Sequence, residues 1–271
     1  MRLAASAHTL TKRFYAGVSV ALLAAGLAGC ASKEPTTTGS ISGKQVAQMS
    51  ESELQGAADS LGKRYAKNPT DKSTALQYSS LLQMNGRQDQ SLAVMRRLAI
   101  ALPKDREVLA AYGKALAGAG QFEPALDAVR RAQTPEYPDW KLLSAEAAIL
   151  DQLGQKAEAR ALYRKAMDLK PNEPSIMSNL GLSYLLEGDL PTAEIHLRNA
   201  VGLPGADSRV RQNLALVVGL QGRFDEAEQI ARQELSPDQA QANVTYLRQM
   251  LAQQNAWNDI KKDEKEAKNT N

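Results

Sequence analysis

Apolar residues recur at three- and four-residue spacing along most of this chain. Leu109, Tyr112 and Leu116 form one such set, and Met177, Leu180 and Tyr184 another. That spacing places them on one face of a helix. The pattern also repeats on a longer scale. Gly86, Gly120, Gly154, Gly188 and Gly222 follow one another at intervals of 34 residues. Seven positions earlier stand Ser79, Gly113, Ala147, Gly181 and Ala215, and five positions later Ser91, Ala125, Ala159, Ala193 and Ala227, all small. Three small-residue columns at one period define a structural repeat. Each glycine lies where a helix must end and a positive φ is needed. The small residues before and after it let two antiparallel helices approach closely. Pro69, Pro103 and Pro171 fall where the chain turns to begin another pair.

The pattern therefore predicts an all-α solenoid of antiparallel helix pairs. Its five repeats span 72–105, 106–139, 140–173, 174–207 and 208–237. Ala57, Leu61 and Pro69 keep the same phase, so 49–71 is expected to hold a lone second helix. Residues 238–257 are expected to form a capping helix. The charged tail 258–271, KKDEKEAKNTN at its end, is expected to be disordered. Ser91 and Leu98 in the first repeat and Glu234 in the fifth stand where the other repeats have alanine, as atypical terminal repeats do.

The N-terminus has a different character. Lys12-Arg13 precede an apolar run of 14 residues, Phe14 to Leu27, shorter than the ~20 needed to span a bilayer and suited to an export signal. Leu27-Ala28-Gly29-Cys30 resembles the lipobox of bacterial lipoproteins. That resemblance implies cleavage after Gly29, making 1–29 the signal peptide, and acylation of Cys30, the chain's single cysteine. A retained N-terminal anchor is the alternative. Two or more acyl chains anchor stably where one does not. By the same resemblance, in which an aspartate after the acylated cysteine retains many lipoproteins of Gram-negative bacteria in the inner membrane, Ala31 implies the outer membrane, on the periplasmic side. Residues 30–48 are poor in apolar side chains and are expected to act as a flexible tether, of roughly 20–25 Å r.m.s. span.

Charge excludes a nucleic-acid reading. Arg2, Lys12 and Arg13 account for the net +3, since 30 Lys and Arg balance 30 Asp and Glu from Cys30 onward. Catalysis has little to draw on. After signal cleavage one histidine remains, His196 beside Glu194 and Arg198, and no metal-ligand, nucleophile or phosphate-loop motif is present. No metal, cofactor or small-molecule substrate is expected, and the chain is not expected to be an enzyme.

Within each repeat, the sequences Trp140 to Pro171 and Met177 to Gly205 resemble the tetratricopeptide repeat. In that family a groove is lined by fixed positions of the first helices. Carried onto this chain, those positions give a polar lining in repeats one to three, from Ser73, Glu107, Lys114, Lys141, Ser144 and Asp151. In repeats four and five they give Leu182, Leu185, Leu186, Leu216 and Leu220, with Arg209 and Gln212 at the edge. The leucines are expected either to receive an apolar or amphipathic protein segment or to be covered by the C-terminal helix folding back. The lysine and asparagine pair with which some relatives hold a C-terminal carboxylate is missing. Asn179 and Asn213 are read as structural.

The stretch from Pro204 to Pro237, followed by Ala242 to Leu251 and preceded by the lipobox and tether, is similar to the TadD-like lipoproteins of the Flp (tight adherence) pilus assembly system. The resemblance implies a non-enzymatic assembly factor or pilotin whose partners are other pilus components, the secretin among them. The alternative is a general envelope scaffold that organises cell-wall hydrolases or outer-membrane protein insertion.

Overall fold

The computed structural model describes residues 51–134, 136 and 138–269. The signal segment, Cys30 and the tether lie outside the described residues. Those residues form twelve α-helices and no strand. They divide into two compact units at Pro171 and Asn172.

The first unit begins with α1 (Glu51–Lys67), the lone second helix. Three pairs follow: α2 (Lys72–Met84) with α3 (Gln88–Ala101), α4 (Arg106–Gly118) with α5 (Phe122–Ala132), and α6 (Trp140–Gln152) with α7 (Lys156–Leu169). The second unit holds α8 (Pro174–Glu187) with α9 (Leu190–Val201), then α10 (Ser208–Leu220) with α11 (Phe224–Ala231), and α12 (Pro237–Asn269).

Each first helix starts at a side-chain cap. Asp71, Asp105, Asp139, Glu173 and Asp207 stand 34 residues apart, and each carboxylate accepts a backbone N–H two or three residues on, at 2.8–3.4 Å. Such caps are worth ~1 kcal/mol each. Each first helix ends at its glycine, with φ between +69° and +89°. The N–H of the next residue closes the turn onto the carbonyl five back, as Arg87 N does to Leu82 O at 2.8 Å and Gln155 N to Leu150 O at 2.9 Å.

The small columns set the distance between paired helices. A Cβ on Gly113 would lie 2.6 Å from Val129 Cγ2, and one on Gly181 would lie 2.8 Å from Leu197 Cγ and 3.1 Å from Ala193 O. Ala125, Ala159, Ala193 and Ala227 are fully buried opposite. In the first repeat both columns hold serine, and the two hydroxyls bond each other at 2.8 Å in the interior. Gln83 Nε2 donates to the Ser91 hydroxyl at 3.0 Å, so the departure at Ser91 leaves no polar group unmatched.

The first core is built on Leu82, Met95, Leu98, Val108, Leu116, Val129 and Ile149. The second is built on Leu197, Leu214, Val217 and Val218, to which α12 adds Val244. A smaller cluster joins Ala240 of α12 to Ala215 and Ala231.

Two boundaries differ from expectation. The second helix of the fifth repeat ends at Ala231, six residues before Pro237. A reciprocal cap explains the early restart: Gln239 N donates to Ser236 Oγ (3.3 Å) and Ser236 N to Gln239 Oε1 (3.2 Å), with Pro237 at the first helical position. The helix that opens there also does not stop at Trp257. It runs to Asn269, through the tail expected to be disordered. Lysine, glutamate and alanine are good helix formers.

Candidate functional site

The faces of the first helices were the expected site, and they differ between the units. In the second unit α8 and α10 pack side by side. A hydrogen bond from Asn213 Nδ2 to Ser178 Oγ (3.0 Å), both residues buried, joins them. This gives Asn213 a structural role. Leu182 and Leu186 follow Ser178 at intervals of four on α8, and Leu216 and Leu220 follow Gln212 at the same interval on α10. All four leucines are half-buried.

The other expected residues of this face are less alike. Leu185 is packed against the core shared by α9, α10 and α11, so its first task is to hold those helices together. Arg209 is half-buried, and its Nε donates to Asp207 Oδ2 at 3.1 Å, the carboxylate that caps α10. Gln212 is exposed and donates to Ser208 Oγ at 3.0 Å. The C-terminal helix meets the last repeat through Ala240, Val244 and Leu247, with Leu247 seated over Gly219. Those contacts lie along the flank of α10 and α11.

In the first unit part of the expected polar lining is interior. Ser144 and Asp151 are buried. Asp151 accepts the hydroxyl of the fully buried Tyr163 at 3.2 Å. Burial, and after it the Asp151 charge, pushes the Tyr163 hydroxyl well above the ordinary tyrosine range. Glu107 pairs with Lys72 at 2.7 Å, and the Lys141 ammonium stands 5.5 Å from the centre of the Trp140 ring. Ser73 is exposed and Lys114 half-buried.

The titratable residues have structural employment. His196 stacks on Tyr184 with ring centres 5.2 Å apart and planes 9° apart. Burial lowers its pKa. Glu194 binds Arg198 (2.7 Å), Gln221 (2.8 Å) and Arg223, while Glu226 binds Arg198 and Arg223. Burial raises the Glu194 pKa, but the hydrogen bonds from Gln221, Arg198 and Arg223 outweigh it and hold the carboxyl below its usual range. Among the described residues no three His, Cys, Asp or Glu side chains converge as metal ligands, and no helix is long and apolar enough to cross a membrane. One open depression of about 370 Å³ lies at the start of α11, lined by Arg223, Phe224, Glu226 and Arg248.

Two features were legible in the sequence and not read from it. The acidic caps keep the 34-residue period, and Ser236 and Gln239 form a capping box ahead of α12.

Comparison with known proteins agrees on architecture. The tetratricopeptide-repeat family matches residues 142–173 and again 209–233. No curated protein matches the chain. Among solved structures, a thermophilic tetratricopeptide-repeat protein of Thermus thermophilus is similar at 23% identity and a TM-score of 0.56, covering 65% of this chain and 97% of its own. A tetratricopeptide-repeat protein of Parabacteroides merdae is similar at 12% identity and a TM-score of 0.63, with 73% and 79% covered. PilW, described as a widely conserved type IV pilus biogenesis factor, is similar at 18% identity and a TM-score of 0.53, with 74% and 91% covered. At these identities the likeness is one of fold.

Proposed function

Taking the chain as an all-α tetratricopeptide-repeat protein, we propose that it is a non-enzymatic adaptor of the bacterial envelope. It is lipid-anchored at Cys30 to the outer membrane, faces the periplasm and serves the assembly of the Flp pilus. Its repeats bind protein partners, as repeats of this kind do through the exposed faces of their first helices. The observation that carries the reading is the paired leucine face of α8 and α10. Leu182, Leu186, Leu216 and Leu220 stand half-buried on adjacent helices, and a partner segment would cover the part of them that remains exposed. The pilus role rests on the resemblance of the last repeat and the C-terminal helix to TadD-like lipoproteins. PilW supports it only as evidence that this fold occurs among pilus assembly factors. A non-enzymatic role is supported by His196, Glu194 and Asp151, each of which is engaged in packing or pairing.

The test is a double substitution, Leu182→Ser with Leu216→Ser, in the lipidated protein purified from envelopes with its partners. The expected outcome is an unchanged helix content and loss of the pilus secretin. Recovery of cell-wall hydrolases without any secretin from the unaltered protein would favour the general scaffold instead. Cys30→Ser is expected to release the repeats into the periplasm.

A further inference from the structure

Among the described residues the two units use their cations differently. In the second, Arg198, Arg209, Arg211, Arg223 and Arg232 each hold a carboxylate, and the Arg248 guanidinium lies 4.7 Å from the centre of the Phe224 ring. The first also pairs Lys72, Arg130 and Arg131 with carboxylates, but Lys67, Arg97, Lys104, Lys165 and Lys170 are exposed, and none of these five is ion-paired to a described residue. Composition follows the same division. Residues 51–171 hold 18 Lys and Arg against 15 Asp and Glu, a net of +3, whereas 172–271 hold 10 against 14, a net of −4.

Those five cations share one edge of the first unit. Helices α1, α3, α5 and α7 all end there, and α2, α4 and α6 begin there. Lys67 ends α1, Lys104 and Lys170 lie just beyond α3 and α7, and Arg97 and Lys165 lie about one turn inside the same helices. Contacts between successive repeats and within the second tie the edge together. Lys72 Nζ binds Asp105 at 2.8 Å, Arg131 Nη2 donates to Pro103 O at 3.1 Å, and Arg106 Nε donates to Ala132 O at 2.8 Å. The same edge also carries the capping carboxylates Asp71, Asp105 and Asp139 with Glu107 and Asp168, which the cations outnumber, whereas the opposite edge carries the glycine turns and the helix-start acids Asp89, Glu123 and Glu158 beside Arg87 and Lys156.

We propose that this cationic edge lies against an anionic lipid bilayer. The inference rests on the anchor proposed at Cys30. Only 20 residues separate Cys30 from Glu51. Even fully extended, they reach roughly 70 Å at about 3.4 Å per residue, so an acylated chain keeps the first unit close to its membrane. Exposed cations near an anionic surface are attracted to it over about a Debye length, ~8 Å at physiological salt. Five of them on a rigid edge can come within that distance together.

The test uses the mature chain from position 30 onward, carrying Cys30→Ser so that no acyl group is present. Vesicles of phosphatidylcholine alone are compared with vesicles that also contain phosphatidylglycerol. Sedimentation is expected only with the anionic vesicles, falling at least about tenfold when salt is raised well above physiological strength. Lys67→Glu, Arg97→Glu, Lys104→Glu, Lys165→Glu and Lys170→Glu together are expected to abolish it with helix content unchanged. Arg87→Glu at the opposite edge leaves it intact. Should the fivefold variant misfold, Lys104→Gln with Lys170→Gln is expected to weaken binding several-fold. Equal binding to both vesicle types, no binding to either, or full binding by the charge-reversed chain overturns the proposal. So does capture of polyglutamate without capture of vesicles, which would make the edge a site for acidic protein. Because the assayed chain carries no acyl group, failure of acylation in cells would sink the anchor and leave this result standing.

Discussion

The two units are made of the same helix pairs and both bury polar bonds, Ser178 with Asn213 among them in the second, yet they differ in which side chains are left at the surface. The first draws polar groups inward: Ser79 bonds Ser91, and Tyr163 bonds Asp151, away from water. Its surplus cations are left on an exposed edge. The second matches its arginines to carboxylates and leaves leucines half-exposed on α8 and α10. Packing columns that recur every 34 residues settle the fold and leave the remaining surface free to differ. On the proposals made above, the first unit meets a charged surface and the second an apolar segment.

The largest test of that separation is whether the units answer to mutation independently. Leu98 and Leu197 are each fully buried, one in either core. Replacing either by alanine is expected to cost about 2–5 kcal/mol. Trp140 lies in the first unit and Trp257 in the second. Urea unfolding followed by the fluorescence of each tryptophan, in chains where the other is phenylalanine, should show Leu98→Ala shifting only the first transition and Leu197→Ala only the second. Equal shifts in both transitions would mean that the units unfold as one. Gly113→Ala and Gly181→Ala come next. Each places a Cβ within 2.8 Å of Val129 or Leu197 and should cost about 1–3 kcal/mol in its own unit. Ser236→Ala removes one half of the capping box and should cost ~1 kcal/mol, in the second transition alone.

The smallest expected effects depend on pH and again divide the units. In the first, the hydrogen bond from Lys72 holds the Asp105 carboxyl below its ordinary value. Its stabilising contribution is complete above the unfolded value near 3.9 and is lost as pH falls through the lowered folded value. For so exposed a pair it should stay below about 1 kcal/mol, and Lys72→Met should remove it. In the second unit, burial lowers the pKa of His196. The unfolded chain then takes up the proton first, so stability should decline as pH drops below about 6.5. Chemical denaturation of His196→Phe across that range should show a flatter second transition, and an unchanged slope would contradict this.

How much was legible in the sequence varied with the kind of residue. Columns of glycine and alanine can be read because each must be small at one place in every repeat, and they gave the helix pairs and their turns. The burial of Ser144 and the buried bond of Asp151 could not be read in this way. Their columns mix polar and apolar residues from repeat to repeat, as Leu76, Ala110, Ser144, Ser178 and Gln212 do, and only the packed structure decides whether a polar side chain faces water or a neighbour. The same limit explains Leu185, whose column placed it on the face while packing drew it toward the core. The length of α12 was misjudged for another reason. A highly charged tail with no apolar period satisfies the description of a disordered segment and that of a solvated helix equally.

The central claim is that the second unit, through α8 and α10, receives the partner. Gln212 is exposed on that face, and Ser80 is exposed on the equivalent face of the first unit. A photocrosslinking amino acid placed at either position in living cells tests the claim most directly. The account predicts an adduct with the pilus secretin from position 212, none from position 80, and loss of the adduct when Leu182→Ser and Leu216→Ser are added. An adduct from position 80 alone, or one from position 212 that survives the loss of both leucines, would contradict it.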